Sequence, residues 1–129
     1  MAFIKCSGGA GKLKETLLWQ NPNPTKSFAA QTITLNEPMN TFEFLKIICN
    51  YTTSNTTNYF KYCFLITDLM NNAGCGINIG GLTTMSGNYG KVRTMSQYKS
   101  ATEIQFLSGH GWNNTENTAA VPLYVYGLK

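Results

Sequence analysis

Polar and apolar residues alternate with a period of two along much of the chain, which is the pattern of half-buried β-strands. The stretch from Leu17 to Leu35 shows it first. A short apolar run, Leu17 to Trp19, is followed by two prolines within Asn21 to Pro24 and then by alternating residues from Gln31 to Leu35. Because the prolines fix φ and remove backbone donors, the chain must turn between the two runs. The stretch is predicted to be strand, rigid turn, strand.

Further strands are predicted at Phe28 to Leu35, Phe42 to Tyr51, Tyr59 to Thr67, Gly76 to Leu82, Lys91 to Tyr98, Thr102 to Leu107 and Ala119 to Leu128. Tyr59 to Thr67 is almost continuously apolar, which predicts a central strand covered on both faces. A buried helix is the alternative there, but the length of the run favours a strand. Pro122 implies an edge position or a bulge in the last strand.

The faces of two strands follow from the positions of their polar residues. In the strand from Phe42 we expect Phe42, Phe44 and Ile48 to lie on one face, with Glu43 and Lys46 pointing the other way. In the strand from Lys91 we expect Val92 and Met95 to lie opposite Lys91, Thr94 and Arg93. Both assignments place the charged residues on the solvent side.

About eight strands joined by turn-rich segments, without a convincing amphipathic helix, predict an all-β fold. The expected architecture is an antiparallel β-sandwich, jelly-roll-like, with a closed barrel as the alternative. Residues 1–14 are predicted to be an attachment segment, with Phe3 and Ile4 as its apolar contacts and a glycine-rich joint behind them. Residues 15–129 are predicted to form the sandwich.

The composition limits the classes of partner that the chain is expected to bind. Only 12% of the residues are charged, the net charge is +4, and Arg93 is the single arginine. A nucleic-acid binder concentrates Lys and Arg on one face, so no nucleic acid is expected as a partner. No run approaches the length of a membrane span and no secretory signal begins the chain, so we expect synthesis in a cytoplasm and no membrane insertion.

The four cysteines form no C-x-x-C pair, and with a single histidine they give no zinc-site spacing, so no metal is expected. Cys49 and Cys63 lie within apolar runs. Free cysteine is one of the most buried residue types, so we expect free thiols that act as small core side chains. Disulfides are the alternative.

Residues able to catalyse a reaction are few and scattered. The carboxylates fall singly along the chain, and His110 lies between two glycines with no evident nucleophile or orienting acid nearby. We therefore expect no catalytic residue, no cofactor and no enzymatic activity. The alternative is a polysaccharide-cleaving enzyme that depends on Glu103 or Glu116.

Three loops are rich in Tyr, Asn, Gly and Trp: Tyr51 to Tyr59, Ser86 to Gly90, and His110 to Asn117. Aromatic rings and amides of this kind provide rigid contact area and adaptable hydrogen bonds, and they could bind a sugar. Ordinary solvated turns are the alternative. The candidate ligand-binding residues are Tyr59, Asn88, Tyr89, His110, Trp112 and Asn113.

Three segments carry a family resemblance: TLLWQNPNPTKSFAAQTITL (16–35), KVRTM (91–95) and VPLYVYGLK (121–129). Together they resemble small β-sandwich modules of structural proteins in tailed bacteriophages and prophages of Gram-positive gut bacteria. The resemblance extends from about Thr16 to the C-terminus, although the middle of the chain carries no matching motif. No catalytic residue of that family can be transferred to this sequence.

The resemblance implies a non-enzymatic virion component, made in the host bacterial cytoplasm. It would be a homotrimeric head domain of a tail-fibre or baseplate protein, in contact with other virion proteins and with a host cell-surface glycan or protein. A capsid decoration or head-fibre protein, docked to the virion by its N-terminal segment, is the alternative.

Overall fold

The structure is a computed structural model that describes residues 12–82, 90–96, 98–111 and 114–129. The strands are β1 (Glu15–Gln20), β2 (Gln31–Thr34), β3 (Phe44–Thr52), β4 (Tyr59–Leu65), β5 (Gly76–Leu82), β6 (Gly90–Ser96), β7 (Glu103–His110) and β8 (Ala119–Leu128). A 3₁₀ turn covers Met39–Thr41, and one short helix, α1, covers Ile66–Asn71. All of these bounds refer to the described residues.

The strands form two four-stranded antiparallel sheets. Sheet A has the order β1-β8-β3-β4 and sheet B the order β2-β7-β6-β5. The predicted antiparallel β-sandwich of about eight strands is therefore confirmed. The first and last strands are neighbours, with Glu15 opposite Leu128, and the backbones of Lys14 and Lys129 bond to each other just beyond that pair.

The core lies between the inner faces of the two sheets. Sheet A contributes Leu18, Ile47 and Val125, and sheet B contributes Ile79 and Phe106, all at most 1% exposed. Each of these side chains alternates with a more exposed neighbour, as the strand period requires. Ile104 of β7 points inward together with Phe106.

The assignments of faces in β3 and β6 were wrong. In β3 the inward residues are Leu45, Ile47 and Cys49, so that Lys46 shares the outer face with Phe44 and Ile48. Residues two apart necessarily share a face, and the prediction broke this rule by following polarity. In β6 the inward residues are Arg93 and Met95, and Val92 is only half-buried.

The predicted central strand at Tyr59 to Thr67 was also wrong. β4 is an edge strand of sheet A, and Tyr59, Lys61, Cys63 and Leu65 on its outer face are exposed. The chain leaves the strand after Leu65 and makes the short helix α1, which buries Ile66 and Leu69. The apolar run is long because it covers a strand with one buried face and then the first residues of a helix.

The bulge that Pro122 implied is present. β8 lies inside sheet A, and its register with β3 shifts between Ile48 and Cys49, which pair with Tyr124 and Pro122. Leu123 is the extra residue. A bulge is one of the few places where a central strand can carry a proline, because proline has no N–H to donate to the ladder.

The cysteines follow the prediction only in part. Cys49 is a fully buried free thiol, as expected, whereas Cys63 and Cys75 are free and exposed. Cys63 is exposed because it lies on the outer face of the edge strand β4. Burial raises the pKa of the Cys49 thiol to about 12, which keeps it protonated and unreactive.

Candidate binding site

A groove of about 330 Å³ lies on the outer face of sheet A. Its floor and one wall come from three adjacent strands, because Ile48 of β3 pairs with both Tyr124 of β8 and Lys61 of β4. In the next row Asn50 pairs with Tyr59. We call this the Asn50 groove; its lining is Pro24, Ile48, Asn50, Thr56, Tyr59, Lys61, Leu123 and Tyr124.

The proline turn that follows β1 supplies Pro24 to the groove, and Asn21 fixes that turn. The Asn21 backbone N–H donates to Leu123 O and its Nδ2 donates to Pro122 O, both at 2.8 Å. Its Oδ1 accepts from the Asn23 backbone N–H at 2.8 Å. Asn21 is 5% exposed, so this side chain continues the β1–β8 pairing beyond the end of the strand and holds the turn against the bulge.

The β3–β4 loop supplies Thr56, and Asn55 organises it. Asn55 Oδ1 accepts hydrogen bonds from the backbone N–H groups of Thr57 and Asn58, both at 3.3 Å, and from both of their side chains. The Asn55 backbone N–H in turn donates to Thr52 Oγ1 at 3.0 Å. This is a side-chain-stabilised turn, and it gives the β3–β4 loop a defined shape beside the groove.

Asn50 is the unusual residue of the groove. It is 1% exposed although it belongs to the outer row of β3, because the groove residues cover it. Its Oδ1 is buried and has no hydrogen-bond partner among the described residues. A buried acceptor without a partner is costly, since it has lost water and gained nothing in exchange.

The remaining groove residues provide apolar surface and one positive charge. Tyr59 is 51% exposed, and the rings of Tyr124 and Tyr126 lie 5.9 Å apart along β8. Lys61 is exposed and forms no ion pair within the described part of the chain. The groove thus offers tyrosine rings, a hydrogen-bond acceptor and a cationic donor within two rows of one sheet.

Beyond the groove, the outer face of sheet A is also apolar. Leu17 and Leu65 are 40% and 41% exposed on its flanking strands. The charges there are partly neutralised, because Lys46 Nζ pairs with a Glu15 carboxylate oxygen and lies 4.9 Å from the centre of the Tyr126 ring. The outer face of sheet B is mostly polar, with Thr32, Thr34, Asn78, Thr94, Ser96 and Gln105 on it.

A second depression, of about 370 Å³, lies on sheet B and is lined largely by glycine: Asn78, Gly80, Gly81, Gly90, Lys91, Val92 and Gly111. At Gly80 the carbonyl oxygen of Lys91 occupies the place of a side chain, so glycine is required for the β5–β6 approach. Gly90 ends one predicted ligand-binding loop and Gly111 lies in another. The structure therefore brings the bases of these two loops to one depression.

Of the predicted ligand-binding residues, Tyr59 and His110 are described by the structure, and they lie in different sheets. Tyr59 lines the Asn50 groove on sheet A, whereas His110 is exposed at the end of β7 in sheet B, where it pairs with Val92. Asn88, Tyr89, Trp112 and Asn113 lie outside the described residues, as do Phe3 and Ile4 of the predicted attachment segment.

Sequence reasoning missed Asn50, Lys61 and Tyr124. Asn50 lies within the predicted strand Phe42 to Tyr51, but it begins an Asn-Tyr-Thr triplet, which is more typical of a polar turn residue than of a binding residue. Correct pairing of β3 with β4 and β8 would have placed all three on one face, but strand register cannot be read from a single sequence with this precision.

The β7–β8 loop is fastened to the core by Arg93, which is 1% exposed. Its Nε donates to Ala120 O at 2.9 Å, Nη1 to Leu107 O at 2.7 Å, and Nη2 to Ala119 O at 3.0 Å and to Asn117 O at 3.2 Å. The guanidinium also lies 5.2 Å from the centre of the Phe28 ring. Burial lowers the Arg93 pKa to about 10, which leaves it charged at neutral pH.

The two carboxylates that an enzyme hypothesis would use have other contacts. Glu116 Oε2 pairs with Lys91 Nζ at 2.6 Å and its Oε1 accepts from Thr118 Oγ1 at 3.2 Å. Glu103 Oε1 accepts from Ser100 Oγ at 2.9 Å. Within the described ranges, no three His, Cys, Asp or Glu side chains gather in a way that could hold a metal ion. No helix in those ranges has the length and hydrophobicity needed to span a membrane.

Comparison with models of known protein families gave no match, and comparison with curated proteins gave none either.

Proposed function

We propose that this chain is a non-enzymatic structural module of a bacteriophage virion, a head domain exposed at the tail or baseplate that contacts the host surface. One observation carries the proposal: the Asn50 groove lies away from the end of sheet A at which the described chain starts. Glu15 and Leu128 pair at that end, and the groove extends from Leu123 and Tyr124, halfway along β8, to Asn50 and the β3–β4 loop.

The separation follows from the register. Leu123 lies five positions before Leu128 in β8, which corresponds to about 17 Å along an extended strand. A domain held through its N-terminal segment would therefore present the groove away from its attachment point. This arrangement suits a tethered head that binds a surface in front of it.

The apolar outer face of sheet A supports association with other virion chains. This face exposes Leu17 and Leu65 on its two edge strands, and a face with several exposed apolar side chains marks an interaction surface more often than a single exposed residue does. The low content of charged residues and the three family-like segments agree with a virion role. A homotrimer is the expected state of such a head.

Attachment to host cells tests the proposal. The purified chain should bind cells of the host and should compete with adsorption of the phage that carries it. Loss of adsorption after replacement of Tyr59 and Tyr124 by Ala would support binding through the groove. Loss after replacement of Tyr89 and Trp112 by Ala would support the loops of the sequence-based prediction. A chain that neither binds cells nor competes with the phage would refute the proposal.

Docking to the capsid through residues 1–12 remains the second candidate, since it uses the same N-terminal tether. It makes no use of the groove. Particles that retain a chain lacking residues 1–12 would contradict it.

A further inference from the structure

We propose that the Asn50 groove is a saccharide-binding site in which Asn50 Oδ1 accepts a hydrogen bond from a sugar hydroxyl or acetamido N–H. This inference rests on the proposed function and names its ligand class and binding residues. Asn50 is the residue that carries the inference. Its side chain is more than nine-tenths buried, it lines the groove, and its Oδ1 has no partner among the described residues.

The lining matches a pyranose better than a purely apolar ligand. A sugar ring has a C–H face that packs on aromatic rings and an edge of hydroxyl groups that donate and accept hydrogen bonds. Tyr59 and Tyr124 offer the rings, and Asn50 Oδ1 lies in the row that pairs with Tyr59. Lys61 is the only cation that lines the groove among the described residues, and it can donate to a ring oxygen, a hydroxyl or a sugar carboxylate.

The size of the groove agrees with this ligand class. At about 330 Å³ it falls at the lower end of the range for small-molecule sites, which suits one or two sugar residues. Its walls are built before the ligand arrives, because Asn21 fixes the turn that carries Pro24 and Asn55 fixes the loop that carries Thr56. A preformed site loses less conformational entropy on binding.

Asn50→Leu is the decisive variant. Leucine keeps nearly the same branched shape and removes the acceptor, and no described hydrogen bond to Oδ1 is lost with it. The variant should therefore fold with an unchanged or higher melting temperature, while its affinity for the sugar falls about tenfold, the effect of one lost hydrogen bond.

Tyr59→Ala and Leu65→Ala form a matched pair. Both residues lie on the outer face of β4 and are similarly exposed, at 51% and 41%, but only Tyr59 lines the groove. Tyr59→Ala should weaken sugar binding about tenfold, as expected for one lost aromatic contact. Leu65→Ala should leave sugar binding unchanged.

The assay is titration of the isotopically labelled chain, followed by amide NMR shifts, with glucose, galactose, N-acetylglucosamine, N-acetylgalactosamine, rhamnose and glucuronic acid at millimolar concentrations. Saturable shifts centred on β3, β4 and β8, lost in Asn50→Leu and Tyr59→Ala, are the expected result. No saturable shift with any of the six sugars would overturn the proposal. Equal binding by wild type and Asn50→Leu would also overturn it.

Sedimentation of the same variants provides a second test. A change of oligomeric state in Asn50→Leu or Tyr59→Ala, without sugar binding by the wild type, would assign the groove to another copy of the chain and overturn the saccharide proposal. Cell binding is scored separately. If Asn50→Leu still binds cells, the proposed function stands, but the groove is not the surface that contacts the host. Sugar binding by a chain that does not bind cells keeps the groove and refutes the proposed function.

Discussion

Replacement of Arg93 by Met should cost about 3–5 kcal/mol of the free energy of unfolding. The guanidinium makes four hydrogen bonds to the carbonyl oxygens of Leu107, Asn117, Ala119 and Ala120, at 2.7–3.2 Å. Hydrogen bonds from a charged donor contribute about 1.5–3 kcal/mol each, which gives a gross gain of about 6–12 kcal/mol. Burial of the charge without a carboxylate costs several kcal/mol, so roughly half of the gain remains.

The variant leaves the carbonyl oxygens buried without donors, and methionine keeps only the packing of the stem. Arg93→Lys should lose about half as much free energy of unfolding as Arg93→Met. The lysine ammonium keeps the charge and can still donate, but it cannot reach all of the carbonyl oxygens that the planar guanidinium spans. Lys61→Met, an exposed strand position, is the control and should change stability by less than about 0.5 kcal/mol. Urea unfolding followed by circular dichroism measures all three. A loss below about 1 kcal/mol in Arg93→Met would refute the role of Arg93 as the anchor of the β7–β8 loop.

Three further predictions concern the groove support, the buried thiol and the N-terminal segment. Asn21→Ala should destabilise the fold by about 2 kcal/mol, because it removes two side-chain hydrogen bonds, whereas Asn23→Ala should have little effect; urea unfolding compares them. The raised pKa of Cys49 stabilises the fold fully below about pH 9, and this contribution is lost as pH rises toward 12, because only the unfolded chain ionises the thiol. The free energy of unfolding should therefore decrease more between about pH 8 and about pH 10 for the wild type than for Cys49→Val. An equal decrease in the two proteins would contradict the raised pKa of Cys49. A chain without residues 1–12 should keep the wild-type melting temperature, since the first described backbone pair involves Lys14; a fall of several degrees in a thermal melt would contradict this.

The sandwich could be predicted from sequence because strand periodicity and turn residues are local signals. The last strand was predicted with the bounds that the structure has, Ala119–Leu128, and the bulge at Pro122 follows from proline chemistry alone. Strand register and the position of a strand at a sheet edge depend on residues far apart in the sequence. The errors of the prediction concern these two properties. Arg93 was placed on the solvent side because a charged residue is seldom buried, but here backbone carbonyls of β7, of β8 and of the segment between them solvate it.

The candidate site shows the same limit. Tyr59 was identified because it ends a loop rich in Asn and Thr. Asn50 and Tyr124 belong to strands more than seventy positions apart, and only the pairing of β3 with β4 and β8 brings them beside Tyr59. A loop-based search cannot find a groove that lies on a sheet face.

The location of this chain in virus particles tests the central claim most directly. Particles labelled with antibody fragments raised against the domain can be imaged by cryo-electron microscopy. The proposed function predicts label at the tail tip or baseplate, with the Asn50 groove facing outward. Label distributed over the capsid would contradict a host-contacting tail head and favour a decoration protein, and particles without label would contradict any virion role.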